Sequence, residues 1–147
     1  MTASHDRIVL TYGTFDLFHP GHVQLLKRAR ELGSRLVVGL STDEFNAKKG
    51  KKSVMSFEDR QTVLLSCRYV DEVFAEEDWS QKLGDAQRIG ADVFVMGDDW
   101  LGKFDFMQAA CSVVYLPRTQ GVSTTAIKSS LHSLPRLPLV QAATQVF

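Results

Sequence analysis

The sequence predicts an α/β fold with one five-stranded parallel sheet and helices on both faces of that sheet. Short apolar runs indicate buried strands, because strands covered on both faces carry nearly continuous apolar residues; examples are residues 8–12, 36–40 and 93–96. Between such runs lie segments with apolar residues at helical spacing, such as residues 20–32. Buried strands that alternate with amphipathic helices form right-handed βαβ units, so we expect the strands to be parallel.

Capping and turn residues set the boundaries of the predicted elements. Pro20 suits the first position of a helix, where its missing N–H would be unbonded in any case. Gly33 is expected to end that helix as its C-terminal cap, and Ser56 with Asp59 predicts a capping box at the start of another helix. The predicted strands are 8–12, 36–40, 70–75, 93–96 and 113–116, and the predicted helices are 20–32, 56–69, 80–89 and 123–131.

Length and composition indicate one domain without a strong electrostatic field. The chain has 147 residues, which suits a compact domain over 1–133 and a tail, 134–147, without clear periodicity. Its 17 basic and 17 acidic residues balance, so we expect neither nucleic acid nor a membrane as a partner. The N-terminal residues lack signal-peptide features and no apolar run approaches the roughly eighteen residues of a membrane span, which predicts a cytoplasmic location. Cys67 and Cys111 lack metal-ligand spacing, and we expect both to be reduced.

Polar and basic residues follow four of the predicted strands at their carboxyl ends, where open parallel sheets bind ligands. Glycine, threonine and two histidines follow the first strand, and a basic loop comes after the second. Hydroxyl groups, a glycine and an arginine follow the last strand. These segments are 13–22, 42–52, 97–100 and 118–125.

The segment His19-Pro20-Gly21-His22 carries the clearest chemical signal. The three-residue separation of the histidines allows both imidazoles to point the same way at the start of a helix. Gly21 permits close approach of a phosphate, and the free amides and positive dipole of a helix N-terminus attract anions. Two imidazoles beside a bound triphosphate suit phosphoryl or nucleotidyl transfer, in which negative charge grows on the reacting phosphate.

These residues also resemble a known family. Residues 19–22 resemble the His-x-Gly-His signature of the nucleotidyltransferase superfamily, whose fold is a Rossmann-like α/β domain, and residues 118–125 resemble its second signature, Arg-Thr-x-Gly-Ile-Ser-Thr-Thr, with Val122 in place of Ile. Residues 11–17, 41–46, 68–73 and 95–100 look more closely like the cytidylyltransferases that act on glycerol 3-phosphate. The resemblance covers about residues 8–130.

The resemblance implies a reaction and a set of site residues. It implies transfer of CMP from CTP to a polyol phosphate, with sn-glycerol 3-phosphate as the expected acceptor, and release of pyrophosphate. It also implies Mg²⁺ bound with CTP, no metal held by the protein alone, and a homodimer. The implied catalytic residues are His19, His22, Lys49 and Arg118. The implied nucleotide-binding residues are Gly13, Thr14, Phe15, His19, His22, Lys51, Arg68, Asp71, Gly97, Asp99, Arg118, Thr119, Ser123 and Thr124. The expected acceptor-binding residues are Asp16, Lys49, Arg60 and Trp79.

Several alternatives stay open from the sequence. The acceptor could be ethanolamine phosphate or ribitol phosphate, or the chain could transfer AMP in the manner of FAD synthetases. A non-catalytic nucleotide-binding module is a different class, which the presence of both histidines disfavours. An aminoacyl-tRNA synthetase fragment is disfavoured because no Lys-Met-Ser-Lys-Ser loop is present. A redox Rossmann domain is excluded because no Gly-x-Gly-x-x-Gly follows the first strand. Among single residues, Asp71 could simply pair with Arg68, and Trp79 could be ordinary packing.

Overall fold

A computed structural model of the protein describes residues 6–118 and 123–133. Thr119 and the predicted tail 134–147 lie outside the described residues, so the predictions for them stay untested. Among the described residues, no helix is long and apolar enough to cross a membrane. The strands are β1 (Ile8–Gly13), β2 (Arg35–Ser41), β3 (Glu72–Glu76), β4 (Val93–Gly97) and β5 (Ser112–Leu116), and the α-helices are α1 (Pro20–Glu31), α2 (Asp43–Lys48), α3 (Phe57–Ser66), α4 (Lys82–Ile89) and α5 (Thr124–Ser133).

The strands form one parallel sheet in the order β3-β2-β1-β4-β5, which confirms the predicted fold class. The chain moves outward from β1 through β2 to β3, and then crosses to the other side of β1 for β4 and β5. The order therefore reverses between β1 and β4. In open α/β sheets such a reversal opens a crevice at the carboxyl ends of the strands, and the first strand ends there.

Two apolar cores cover the two faces of the sheet, and neighbouring residues of β1 alternate between them. Val9 belongs to the core that also holds Leu26 and Ala29 of α1. Leu10 belongs to the opposite core with Ala86 of α4. Burial on both faces explains why the strands appear in the sequence as unbroken apolar runs.

The third helix and third strand differ from their predicted bounds. The α3 helix ends at Ser66 because the backbone of Cys67 is extended, with ψ of 125°. Before β3 starts, the amide of Asp71 donates to the carbonyl of Leu36 at 2.9 Å, which fixes the incoming chain beside β2. The sequence predicts a helix over 56–69 followed at once by a strand over 70–75. It misses this extended connection because the apolar residue Val70 favours a strand.

Gly33 has a different role from the one predicted. The C-terminal cap of α1 is Leu32, and Gly33 is not among the glycines with positive φ. Instead, a Cβ atom at Gly33 would lie 2.2 Å from the carbonyl oxygen of Arg7 and 2.8 Å from Cγ2 of Val9. Close approach to the chain entering β1, rather than a left-handed backbone, requires glycine here.

We predict that Gly33→Ala lowers the free energy of unfolding by about 1–3 kcal/mol, the usual range for overpacking, because backbone atoms must move. Gly84→Ala is the matched control: Gly84 lies in α4, and a Cβ atom there would have no neighbour within 4 Å, so alanine in this helix interior should stabilise by up to about 1 kcal/mol. Urea unfolding measures both changes. Equal stability of the two variants would contradict the packing argument.

Candidate active site

The two predicted histidines interlock at the start of α1. His19 is the N-cap residue, and its Nδ1 accepts a hydrogen bond from the amide of Gly21 at 3.0 Å. In return, Nδ1 of His22 accepts from the amide of His19 at 3.2 Å. This is a reciprocal capping arrangement in which two imidazoles take the places usually filled by hydroxyl and carboxyl groups. Pro20 occupies the first helical turn, as predicted.

The interlock fixes where each imidazole carries its proton. A neutral imidazole whose Nδ1 accepts a hydrogen bond has its hydrogen on Nε2. The rings stack with centroids 3.7 Å apart and planes 20° apart, so two positive charges there would repel strongly. Burial and the neighbouring His19 lower the pKa of His22 to about 4, and burial lowers the pKa of His19. Near neutral pH the pair therefore presents two uncharged rings with N–H donors at Nε2.

Left-handed backbone on either side of Asp16 shapes the loop after β1. Phe15 and Leu17 both have φ of 50°. Residues other than glycine adopt this left-handed conformation at a cost of about 1–2 kcal/mol each. The Asp16 carboxylate is buried and accepts hydrogen bonds from the amides of Val54 at 2.7 Å and Met55 at 3.0 Å. These bonds hold the far end of the basic loop against β1 and offset the strain.

Asp16 also contacts the last described helix. Nζ of Lys128 lies 3.4 Å from the Asp16 carboxylate, and the hydroxyl of Thr124 donates to the Asp16 carbonyl at 3.0 Å. Burial alone would raise the pKa of Asp16, but the amide hydrogen bonds and Lys128 outweigh it and hold that pKa below its ordinary value. Ionised Asp16 thus connects the β1 loop to the basic loop and to α5.

Two adjoining clefts open at the carboxyl ends of the strands. The first, which we call the histidine cleft, has a volume of about 410 Å³ and contains both histidines. The second, the lysine cleft, has a volume of about 760 Å³. Their shared walls include Gly13, Thr14, Phe15, His22, Lys51 and Thr124. Gly97, Asp99, Arg118 and Ser123 line the histidine cleft, whereas Asp16, Lys49 and Trp79 line the lysine cleft. The structure therefore brings together most of the predicted site residues.

The start of α5 adds cationic and hydroxyl groups to the histidine cleft. The Ser123 hydroxyl accepts from the amide of Ala126 at 3.0 Å, so Ser123 caps the helix as predicted. Arg118 follows β5 and lies 3.6 Å from the Asp99 carboxylate across the cleft. The guanidinium is exposed, and this long contact leaves it able to bind an anion.

Arg60 does not face either cleft, which corrects its predicted place in the acceptor pocket. Its side chain is completely buried. The guanidinium donates to the carbonyls of Met55, Thr14 and Ser41 at 3.0, 3.0 and 2.8 Å, and it pairs with the Asp43 carboxylate at 2.7 Å. Arg60 is a positioning residue that joins the β1 loop, the end of β2 and the basic loop from behind.

Arg68 and Asp71 do not line either of the two clefts, and their predicted contact with nucleotide stays a prediction. The Asp71 carboxylate accepts from the amide of Leu36 at 2.7 Å and pairs with Arg30 at 3.1 Å. Both contacts are at the amino ends of the strands, opposite the site. Arg68 is exposed and stacks on the neighbouring Tyr69 ring at 5.4 Å. The alternative left open by the sequence, a pair between Arg68 and Asp71, does not form, and Asp71 pairs with Arg30 instead.

The structure adds a buried polar chain that sequence reasoning missed. In the lysine cleft, Lys82 pairs with Glu76, and both side chains are 3% exposed. The Glu76 carboxylate also accepts from the Ser41 hydroxyl at 3.1 Å, and Ser41 in turn accepts from Nζ of Lys49 at 3.1 Å. Burial lowers the pKa of Lys49 to about 8. The available signal was Glu76 itself, an acidic residue at the carboxyl end of β3.

Comparison with known proteins agrees with this fold. A parallel sheet with paired histidines at a helix start beside its switch point is the arrangement expected of the nucleotidyltransferase class. The family model described as cytidylyltransferase-like matches residues 10–130, so the chain belongs to that family. This confirms the resemblance predicted from the sequence.

Relatives and a solved structure extend the comparison. The chain is 58% identical over 126 residues to glycerol-3-phosphate cytidylyltransferase of Bacillus subtilis. The aligned region covers 86% of this chain and 98% of the relative. The chain is 56% identical over 124 residues to the protein of the same name from Staphylococcus aureus, spanning 84% and 94%. The crystal structure of a lipopolysaccharide core biosynthesis protein from Thermoplasma volcanium aligns with a TM-score of 0.67 at 21% identity, covering 78% of this chain and 98% of that chain, which shows a shared fold.

We predict that the His22 imidazole titrates near pH 4, well below the ordinary histidine value. In its neutral form the ring should be protonated at Nε2. Proton and ¹⁵N NMR titration of the imidazoles measures both properties, with assignments from His19→Ala and His22→Ala. A His22 midpoint at or above about 6.5, the ordinary histidine pKa, or a hydrogen on its Nδ1, would contradict the interlock.

We predict that Arg60→Met lowers the free energy of unfolding by about 2–4 kcal/mol, since three carbonyl oxygens lose a charged donor. Arg28→Met is the control, because Arg28 is exposed and, among the described residues, its side chain donates one hydrogen bond, to the carbonyl of Pro117 at 3.1 Å. Loss of that bond should change stability by no more than about 0.5 kcal/mol. Denaturant unfolding of both variants tests the assignment. If Arg60→Met kept its stability and lost only affinity for acceptor, the positioning role would be wrong.

Proposed function

We propose that the protein transfers CMP from CTP to sn-glycerol 3-phosphate and produces CDP-glycerol and pyrophosphate. The observation that carries this proposal is the interlocked pair His19 and His22, two neutral donors at the junction of two clefts. Membership of the cytidylyltransferase-like family supports the nucleotide, and the relatives from Bacillus subtilis and Staphylococcus aureus support the acceptor.

The histidine cleft is suited to hold the triphosphate. We place the α-phosphate beside the two Nε2–H donors, and the outer phosphates toward Arg118 and the capped start of α5. An oxygen of the acceptor's phosphate attacks the α-phosphorus while the bond to the bridging oxygen breaks, and pyrophosphate leaves with the electron pair. Negative charge grows on the non-bridging oxygens, where the fixed imidazole donors stabilise it without any proton transfer.

The lysine cleft is suited to hold the anionic acceptor. Six lysines and two carboxylates line it: Lys48, Lys49, Lys51, Lys52, Lys82 and Lys128, with Asp16 and Glu76. This excess of positive charge matches an acceptor phosphate that must approach a second anion. Because a phosphate monoester is already ionised near neutral pH, the site needs no strong base and acts through orientation and charge.

The residues of the site fit a Mg²⁺ ion that arrives with the nucleotide. Within residues 6–118 and 123–133, no group of three histidine, cysteine or acidic side chains could hold a metal ion unaided. Mg²⁺ commonly binds through substrate phosphates with one or two carboxylates, and Asp99 offers a carboxylate in the wall of the histidine cleft. When bound, the ion would neutralise charge on the triphosphate and leaving pyrophosphate.

Three expectations stay predictions: a homodimer, a cytoplasmic location, and the division into residues 1–133 and a tail. The predicted role of Thr119 in holding triphosphate likewise lies outside the described residues.

The substrates are tested by a pyrophosphate-release screen. CTP, ATP, UTP and GTP are each combined with glycerol 3-phosphate, ribitol phosphate or ethanolamine phosphate. We expect substantial release with CTP and glycerol 3-phosphate alone, because the cleft charges and the relatives agree on that pair. Preference for ATP would overturn the cytidylyl assignment, and preference for another acceptor would overturn the glycerol assignment.

The catalytic role of the histidines is tested by substitution. We predict that His19→Ala and His22→Ala each lower kcat about 100- to 1000-fold, the range seen when one transition-state donor is lost. His132→Ala is the control, because His132 is exposed in the last turn of α5, and it should retain wild-type turnover. Circular dichroism confirms folding of each variant. Wild-type turnover in folded His19→Ala would remove the proposed role.

A further inference from the structure

An ammonium group of the protein itself sits among aromatic rings in the lysine cleft. Nζ of Lys82 lies 4.8 Å from the centroid of the Tyr12 ring. It also lies 5.3 Å from the centroids of both Trp79 and Phe104. Each distance is within the range over which a cation is attracted to a ring face. We call these three rings, together with Glu76, the aromatic cage.

Glu76 completes the cage with a negative charge. Its carboxylate pairs with Lys82 and accepts a hydrogen bond from Ser41 at 3.1 Å. Three rings and a carboxylate are the set of groups that recognises organic ammonium ligands in other proteins. All of the cage residues, and Lys82, line the lysine cleft, so the cage lies where the acceptor is placed.

A second lysine approaches the same tryptophan. Nζ of Lys49 lies 4.5 Å from the Phe45 centroid and 5.6 Å from the Trp79 centroid. An ammonium on the acceptor would therefore meet two lysine ammonium groups that both lie within 6 Å of the Trp79 ring centroid. Like charges gathered in a partly buried site repel one another. A neutral hydroxyl group meets no such repulsion.

We propose that Lys82 fills the aromatic cage with the protein's own ammonium group and thereby makes the acceptor site reject phosphorylated amino alcohols in favour of phosphorylated polyols. This inference rests on the proposed function and assigns Lys82 as the residue that sets acceptor class. Tyr12, Trp79, Phe104 and Glu76 then serve to hold Lys82, and the acceptor's hydroxyl groups meet a cleft wall that has a cationic group buried within it.

A purely structural role explains the cage less well. A buried ion pair adds little net stability compared with apolar residues of similar volume. Furthermore, Trp79 is 52% exposed, so the cage opens to solvent through the cleft. A cation held beside an open cleft influences what enters that cleft.

The test compares kcat/KM for ethanolamine phosphate and glycerol 3-phosphate, each with CTP. The wild-type protein is expected to prefer glycerol 3-phosphate at least about 100-fold, since the added ammonium must displace or oppose Lys82. In Lys82→Ala the emptied cage keeps Glu76, so the ratio should move toward ethanolamine phosphate at least about tenfold. Lys103→Ala is the matched control: Lys103 lies over one ring, Trp100, at 5.7 Å and does not line the lysine cleft, so its ratio should stay unchanged.

A binding measurement keeps the proposal testable if Lys82→Ala is poorly stable. Removing Lys82 leaves the buried Glu76 carboxylate unpaired, so methylammonium chloride should raise the Tm of the variant more than potassium chloride at equal ionic strength. The wild-type protein should show no such difference. Equal effects of the two salts on the variant would overturn the cage.

The two proposals fail in different ways. If the wild type releases no pyrophosphate from CTP and glycerol 3-phosphate, the proposed function fails. The methylammonium experiment still tests whether the aromatic cage binds an ammonium group. If that reaction proceeds but the wild type uses ethanolamine phosphate equally well, or Lys82→Ala leaves the ratio unchanged, then Lys82 does not set acceptor class.

Discussion

The reciprocal hydrogen bonds between His19 and His22 constrain the chemistry of the whole site. Each Nδ1 accepts a hydrogen bond from a backbone amide at the start of α1. Each neutral ring must therefore carry its hydrogen on Nε2. Stacking and burial keep both rings uncharged near neutral pH. A helix cap, which usually only stabilises a helix, here also orients two donors before any substrate arrives, and preorganised donors are the ones that lower a barrier most.

The surrounding loops are held in place by two charged residues that face the interior. Asp16 fixes the end of the basic loop and the start of α5 from the side of the clefts. Arg60 binds carbonyls of the β1 loop and β2 from behind. Ionised groups with this many partners are costly to bury and strongly destabilising to break, so they specify one loop arrangement. The left-handed backbone at Phe15 and Leu17 persists within that arrangement.

The sequence predicted what depends on local pattern and chain order. Apolar runs located the five strands, and Pro20 with its flanking histidines located the site, because strand ends in a parallel sheet must converge. It could not predict where Arg60 and Asp71 point, since a charged residue is equally plausible in a cleft, in a buried network or at the far edge of the sheet. It also missed the pair between Glu76 and Lys82, which forms across the short connection from the end of β3 to the start of α4.

In the proposed reaction, the interlocked imidazoles bind the α-phosphate of a nucleoside triphosphate. A crystal structure of the protein with a non-hydrolysable CTP analogue and Mg²⁺ tests it most directly. We expect non-bridging oxygens of the α-phosphate at about 3 Å from Nε2 of His19 and of His22, with both Nδ1 atoms still accepting hydrogen bonds from their amides. An α-phosphate outside hydrogen-bonding reach of both rings, or rings turned so that Nδ1 faces the nucleotide, would contradict it.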